Sequence, residues 1–246
     1  METSHKVLGL DLASSSGWCI LEDGKLSKYG VITIPSQMNI FQRLKFFENN
    51  LIQIINDNKP NEVHIEDVIL GISGAKTLAY LGRLNGVAIS VCYNRVGDNI
   101  KLYTPTTWKA NSFKGLNGMA KKAEIQIAVI RHFQLVPEDE LQEIIKPLSE
   151  FNNQDQTLKE QLDQLKKKLA TITKVHNRSK TTALEKSSLK SEMDETSKQI
   201  TELKKTIKKR AKEIDSIYNK VSISLTAKCG LTADVSDSIG IAYCNI

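Results

Sequence analysis

Three stretches of the chain carry acidic residues whose carboxylates could form a metal-binding or catalytic site. Asp11 follows four apolar positions in VLGLDLASSSG, and Glu66 closes a second short stretch in which polar and apolar residues alternate. Near the other end of the chain, Asp234 and Asp237 stand three residues apart, so a helix would project both carboxylates on one face. Taken alone, Asp234 and Asp237 could simply be a helix cap and a first-turn acid. Their combination is what indicates a site.

Four carboxylates brought together would supply the hard oxygen ligands that Mg²⁺ and Mn²⁺ prefer. Two such ions ~3.5–4 Å apart can activate an attacking water and stabilise the leaving oxygen of a phosphodiester. This chemistry needs no histidine as general base, and the four histidines of the chain are scattered without a Ser/His/Asp pattern. The acids therefore predict a metal-assisted hydrolytic site with two divalent ions.

Hydrophobic spacing indicates the elements that must position the acids. A buried apolar run, an Asp-Gly hairpin turn and a closing proline predict antiparallel strands at 7–12, 17–21 and 26–34. Helical spacing and breaker residues predict the further elements, which are helices at 38–58, 75–92 and 119–133, a short helix from 104, strands at 62–68 and 100–103, and a last helix at 231–242. Asp11 and Glu66 are then expected at strand ends, and Asp234 at or near a helix N-cap.

The predicted helix at 75–92 carries small residues, Ala75, Ala79, Gly82 and Gly86, on one face. Such a face lets another backbone approach closely. It could pack on the protein's own sheet or form a contact between two subunits, and the sequence leaves both alternatives open.

The composition changes after residue 147, because 148–229 contains neither Gly nor Pro. Apolar residues recur with heptad spacing over 148–172 and again over 189–221, with a polar position at Asp155. The polar segment HNRSKTT between them favours an antiparallel helical hairpin, with arms on the order of 45–60 Å long. The alternative is one continuous helix that pairs with a second subunit.

The net charge of +6 lies entirely in this part of the chain. Residues 148–221 contain 17 Lys and Arg against 11 Asp and Glu, whereas the remainder is balanced at 17 of each. Coiled-coil surfaces are usually rich in lysine, so these charges could simply be solvated. They could also contact nucleic acid. The whole helical hairpin, called the arm below, is accordingly expected to bind DNA or an unknown protein.

Bulk properties exclude several classes of protein. A length of 246 residues suffices for one core plus an extension or for two small domains, and no apolar run reaches the ~18 residues of a membrane span. The four cysteines lack metal-ligand spacing and predict unpaired thiols in a reducing compartment. The protein is expected to be soluble and cytoplasmic, without a membrane partner.

Several segments, taken in order, resemble the RuvC-type Holliday-junction resolvases of the RNase H-like superfamily. They are GLDLASSSGW, IEDV, LGRLNGVAI, YTPTTWK, GLNGMAKKAEI and ADVSDSIGIA. Each segment is short, but the order and approximate spacing of the segments agree with those of the family over 6–136 and 231–245. One departure is Trp108, at a position that is usually aliphatic in this family.

The resemblance implies roles for particular residues. Asp11, Glu66, Asp234 and Asp237 would be catalytic ligands of two Mg²⁺ or Mn²⁺ ions. The expected DNA contacts are Lys109 and Lys122 at phosphates, Ser14 and Ser15 in the first motif, and Ile69. Some members carry an aromatic residue at the position of Ile69, and that residue helps to open the junction. The isoleucine of this chain could still act as an apolar wedge, but it cannot stack on a base.

The resemblance also implies a fold and an activity. The fold class would be α/β, an RNase H-like mixed sheet flanked by helices, with a core formed by residues 1–137 and 229–246. Residues 138–228 would be an inserted helical hairpin, and the small Lys/Asn/Ile-rich chain suggests a viral source such as a bacteriophage. The implied activity is homodimeric, metal-dependent cleavage of four-way DNA junctions. The alternatives are a less selective nuclease on flaps or RNA–DNA hybrids, and an inactive DNA-binding or assembly module that uses the coiled coil.

Overall fold

The structure is a computed structural model that describes residues 4–68, 74–177 and 182–244. The strands of these residues are β1 (Lys6–Asp11), β2 (Ser15–Glu22), β3 (Lys25–Thr33), β4 (Glu62–Glu66) and β5 (Ile100–Tyr103). The helices are α1 (Ile40–Asn58), α2 (Ala75–Val96), α3 (Pro105–Ser112), α4 (Lys122–His132), α5 (Glu138–His176), α6 (Ala183–Cys229) and α7 (Ala233–Tyr243).

The strands form one mixed sheet in the order β3-β2-β1-β4-β5. β1, β2 and β3 pair antiparallel, whereas β4 runs parallel to β1 and β5 runs parallel to β4. Because β1 and β4 are parallel neighbours, their last residues, Asp11 and Glu66, lie at the same edge of the sheet. The predicted mixed sheet with flanking helices is confirmed.

Helix α7 lies against the sheet at glycines of β1 and β2. A Cβ atom at Gly9 would overlap the Ser238 carbonyl, and one at Gly17 would overlap the Asp234 carbonyl. The absence of a side chain at these two positions lets the backbone of α7 approach the sheet closely. The approach brings the first turn of α7 next to the end of β1.

Several element boundaries differ from the prediction by a few residues. The strand that begins at Glu62 ends at Glu66 rather than 68, and α4 begins at Lys122 rather than 119. The N-cap of α7 is Thr232, whose hydroxyl accepts the Val235 N–H at 3.2 Å. Asp234 is therefore the second residue of the helix, near the N-cap as predicted.

The small-residue face of α2 does not pack on the sheet. Ala75, Ala79, Gly82 and Gly86 are all exposed, and a Cβ atom built on either glycine would meet no atom within 4 Å. Helix α2 instead buries the opposite face, with Leu84, Ala88 and Cys92 in the core. Packing against the protein's own sheet, one of the two alternatives for this face, is thus wrong.

The chain divides into two compact units, Met1–Leu141 with Ser222–Ile246 and Gln142–Val221. This division falls a few residues inside the predicted insertion, 138–228, whose limits stay a prediction. Within the second unit the two helical segments run antiparallel, since Phe151 lies under Arg210 while Lys168 pairs with Glu192 further along. The helical hairpin is therefore present, and the alternative of one continuous helix is wrong.

Asp155 is the polar residue in the apolar contact between the two helices of the hairpin, and an ion pair across that contact explains it. Arg210 places its Nε 3.9 Å from Asp155 Oδ1 and donates to the Phe151 carbonyl oxygen at 3.1 Å. Lys159 adds a second cation 2.7 Å from Asp155 Oδ2. Arg210 is consequently engaged inside the hairpin rather than displayed among the exposed basic residues of the arm.

Cys19, Cys92, Cys229 and Cys244 are free thiols, as predicted. Among the helices of the described ranges, none combines the length and the apolar composition that crossing a membrane requires.

Candidate active site

The four acids predicted from the sequence come from three elements. Asp11 ends β1, Glu66 ends β4, and Asp234 and Asp237 occupy the first turns of α7. Parallel pairing puts the first two at one sheet edge, and the glycine contacts of α7 bring the other two to the same edge. The structure thus gathers into one region acids that are up to 226 positions apart in the sequence.

Burial and mutual repulsion make these carboxylates hard to ionise together. Burial raises the pKa of Asp11 well above its usual value, and the charges of Asp237, Glu66 and Asp234 raise it further. Burial likewise raises the pKa of Asp237 to about 7. The pKa of Glu66 is also raised by burial, although a hydrogen bond from Trp108 and the nearby lysines oppose the shift. Charge repulsion of this kind requires the carboxylates to lie close to one another.

Two lysines predicted to bind phosphate lie beside the acids. Lys122 Nζ is 3.4 Å from Asp234 Oδ1. Burial alone would lower the pKa of Lys122, but the carboxylates of Asp234, Asp237 and Asp11 raise it overall. Lys109 lies over the ring of Trp108, with Nζ 5.4 Å from the ring centroid, and lowers the pKa of Glu66 and Asp237. Both lysines therefore partly offset the negative charge of the acid cluster.

Trp108 is a residue of this site that the sequence analysis did not assign to it. Its side chain is fully buried, and its indole N–H donates to Glu66 Oε2 at 2.7 Å. The only signal in the sequence was a tryptophan at a position that is usually aliphatic. That signal marked the residue as unusual without indicating its hydrogen-bond partner.

The remaining predicted DNA contacts have different surroundings. Ser14 is exposed and Ser15 is half-buried at the start of β2. The hydroxyl that shapes the turn after Asp11 belongs to Ser16, which donates to the Ala13 carbonyl oxygen at 2.7 Å and accepts the Ala13 N–H at 3.0 Å. Ile69 lies outside the described residues. The DNA-binding roles of these residues stay predictions.

The carboxylates of the acid cluster are of the kind that binds a divalent cation. In the described parts of the chain, no three Asp, Glu, His or Cys side chains are already arranged to hold a metal ion. However, Asp237 Oδ1 is buried and has no hydrogen-bond partner in the described structure. A buried carboxylate oxygen without a donor is costly, and a divalent ion is a partner that suits it. Asp237 Oδ1 is therefore the feature of the cluster that fits a bound cation.

The sheet order and the acids at the ends of two adjacent strands define the class of the protein, which is RNase H-like α/β. The chain belongs to the family "Crossover junction endodeoxyribonuclease RuvC", whose model matches residues 7–149. The match covers Asp11 and Glu66 and stops before α7. The matched range therefore includes β1 and β4, which end in these two acids, whereas Asp234 and Asp237 lie outside it.

Curated relatives carry the same description. A protein of Halorhodospira halophila is 28% identical over 124 residues, covering 49% of this chain and 72% of the relative. A Rhizobium etli protein is 26% identical over 160 residues, covering 63% and 85%. For the Alkaliphilus oremlandii protein the values are 34% over 102 residues, 42% and 60%.

Solved structures also resemble this chain. The Thermus thermophilus RuvC structure matches at 17% identity with a TM-score of 0.45, covering 52% of this chain and 80% of the other. The structure of T. thermophilus RuvC in complex with Holliday junction substrate matches at 15% identity with a TM-score of 0.45, covering 53% and 79%.

Proposed function

We propose that the protein is a metal-dependent endonuclease that resolves four-way DNA junctions by phosphodiester hydrolysis. The observation that carries the proposal is a cluster of four mutually repelling carboxylates, with the unpartnered Asp237 Oδ1 among them. Membership of a family described as crossover junction endodeoxyribonucleases supplies the substrate class. The proposed compartment is the cytoplasm, of a bacterium or of a viral host.

In this proposal Asp11, Glu66, Asp234 and Asp237 hold two Mg²⁺ or Mn²⁺ ions. When bound, the ions supply activation of a water molecule and stabilisation of the leaving oxygen. Lys109 and Lys122, which lie beside the acids, bind the phosphate next to the scissile bond. The raised pKa values of Asp11 and Asp237 fit this role, because a cation favours the ionised form that the isolated cluster resists.

A panel of substrates tests the activity. Purified protein is incubated with Mg²⁺ and a labelled four-way junction, a flap, an RNA–DNA hybrid and a linear duplex of the same sequence. We expect the junction to be cut fastest, with no cutting in EDTA. Equal rates on the junction and the flap would favour the less selective nuclease. Absence of cutting on every substrate would favour the inactive DNA-binding or assembly module.

We also propose that two subunits associate through the exposed small-residue face of α2. Two symmetric cuts across a junction need two active sites, and the small residues on this face allow a second backbone to approach. Gly82→Arg should shift the protein from dimer to monomer in light scattering coupled to size exclusion. Asn49→Arg, at an exposed position of α1, should leave the dimer intact. A wild-type protein that is monomeric at micromolar concentration would overturn this proposal.

The arm formed by 142–221 is proposed to contact DNA with its exposed lysines, among them Lys166, Lys167, Lys204 and Lys205. Replacing 148–221 with a short linker should weaken junction binding and flatten its dependence on salt, because each lost phosphate contact lowers the slope by about 0.9. The measurement is a titration by fluorescence anisotropy at several salt concentrations. Unchanged affinity and slope would leave the lysines as a solvated surface and make a protein partner the better proposal.

A further inference from the structure

The two tryptophans of the chain have different surroundings. Trp108, in α3, is fully buried and donates its indole N–H to Glu66 Oε2 at 2.7 Å. Trp18, in β2, is half-buried, and its ring lies against Gly30 of β3. Only the first of these indoles is bonded to an acid of the candidate active site.

Helix α7 holds Trp108 from another direction. A Cβ atom at Gly240 would come within 2.6 Å of the six-membered ring, so the ring lies directly against the backbone of α7. The Ser112 hydroxyl lies 2.6 Å from the Gly240 carbonyl oxygen and also contacts the Trp108 carbonyl oxygen. Gly240 follows Asp237 by three residues on the same helix. Trp108 therefore contacts both β4 and α7, which together supply three of the four acids.

We infer that Trp108 is a positioning residue that fixes the orientation of the Glu66 carboxylate relative to α7. The indole N–H engages Oε2 and leaves Oε1 for another partner. An indole is a donor only and does not ionise at accessible pH, so it orients the carboxylate without competing for a cation. The burial of the ring and its contact with Gly240 prevent it from moving aside.

The inference rests on the proposed function, since Glu66 is one of the proposed metal ligands. Hydrogen bonds that orient metal-binding side chains typically change metal affinity or activity by about 10–100-fold when they are removed. Loss of the indole N–H should therefore lower the affinity of the protein for divalent metal ions. The variant should still fold.

Two indole N–H signals provide a direct test in the metal-free protein. Trp18→Phe assigns the signals in a ¹⁵N-correlated spectrum. Glu66→Gln should then shift the Trp108 signal and leave that of Trp18 in place, because it removes the charge from the acceptor. Asp234→Asn is the matched control: it removes a charge from the same cluster without touching the indole. A Trp108 signal that ignores Glu66→Gln, or that moves equally in the control, would overturn the inference.

Metal binding provides the second test. Trp108→Phe and Trp18→Phe lose the same atoms from two tryptophans of one compact unit, so they are matched in chemistry. By calorimetry, Trp108→Phe should bind Mn²⁺ about tenfold or more weakly than Trp18→Phe. Equal affinity in two variants with cooperative thermal unfolding would refute the positioning role. If Trp108→Phe does not fold, the indole spectrum decides.

The two proposals fail in different ways. A wild-type protein that binds Mn²⁺ but cuts no DNA would contradict the proposed function, and the Trp108 signal and the Mn²⁺ affinities would still decide the positioning role. A wild-type protein that cuts junctions while Trp108→Phe binds Mn²⁺ normally would contradict the positioning role alone.

Discussion

Asp11→Asn should abolish junction cleavage, with a single-turnover rate about a thousandfold or more below that of the wild type and with junction binding nearly unchanged. Asp11 ends the central strand of the sheet, and its pKa is raised by burial and by the charges of Asp237, Glu66 and Asp234. Asparagine has almost the same shape but lacks the charge that holds a divalent ion. A thousandfold loss corresponds to about 4 kcal/mol of transition-state stabilisation, which is within the range of a metal-assisted step.

The control for this experiment is Asp23→Asn. Asp23 lies in the turn between β2 and β3 at φ +50°, a conformation that asparagine adopts readily. This variant should cut at a rate within about twofold of the wild type, as expected for a surface change away from the site. If Asp11→Asn cut as fast as Asp23→Asn, the assignment of the acid cluster as the catalytic site would be wrong.

Asp237→Asn should stabilise the metal-free protein at neutral and alkaline pH. Burial raises the pKa of Asp237 to about 7, Lys122 and Lys109 oppose the shift, and Glu66 and Asp234 add to it. Its value in the unfolded chain is about 4. Between these two pH values the folded state binds more protons than the unfolded state. The stability contributed by the protonated carboxyl is thus complete below pH ~4 and is lost as the pH rises to about 7.

Asparagine removes this loss because it never ionises. In EDTA, the variant should exceed the wild type by about 2–4 kcal/mol in free energy of unfolding at pH 8, and the difference should vanish near pH 4. Urea unfolding at pH 4, 6 and 8 measures it. Adding Mg²⁺ should narrow the gap, since a bound cation stabilises the wild type. The exposed control Asp57→Asn should show no such dependence on pH; a gap independent of pH would argue against a buried ionisable Asp237.

The strand acids could be predicted because they depend on local patterns. Asp11 and Glu66 each end a short run of buried residues, and such runs can be recognised within a few positions. The cap of α7 was harder to predict. Thr232 and Asp234 are both good N-cap residues two positions apart, so composition alone could not decide which of them begins the helix.

Other features depend on packing that no local pattern contains. Helical spacing assigned the small residues of α2 to one face, but it could not tell that this face points to solvent. The bond between Trp108 and Glu66 joins residues 42 positions apart and requires Gly240 of α7 beneath the ring. The heptads of the arm, in contrast, predicted both helices and their antiparallel pairing, since the two apolar series and the polar break are local.

The position of α7 in the chain has a consequence for the order in which the protein folds. During synthesis β1, β4 and most core helices emerge well before α7, and domains generally fold as their segments become available. Closing a loop of more than 200 residues costs conformational entropy, but the hairpin forms from local contacts and greatly shortens the loop that remains. A nascent chain that has reached residue 230 therefore carries Asp11 and Glu66 without the other two acids. The proposed nuclease would acquire its full set of carboxylates as one of the last events of its own folding.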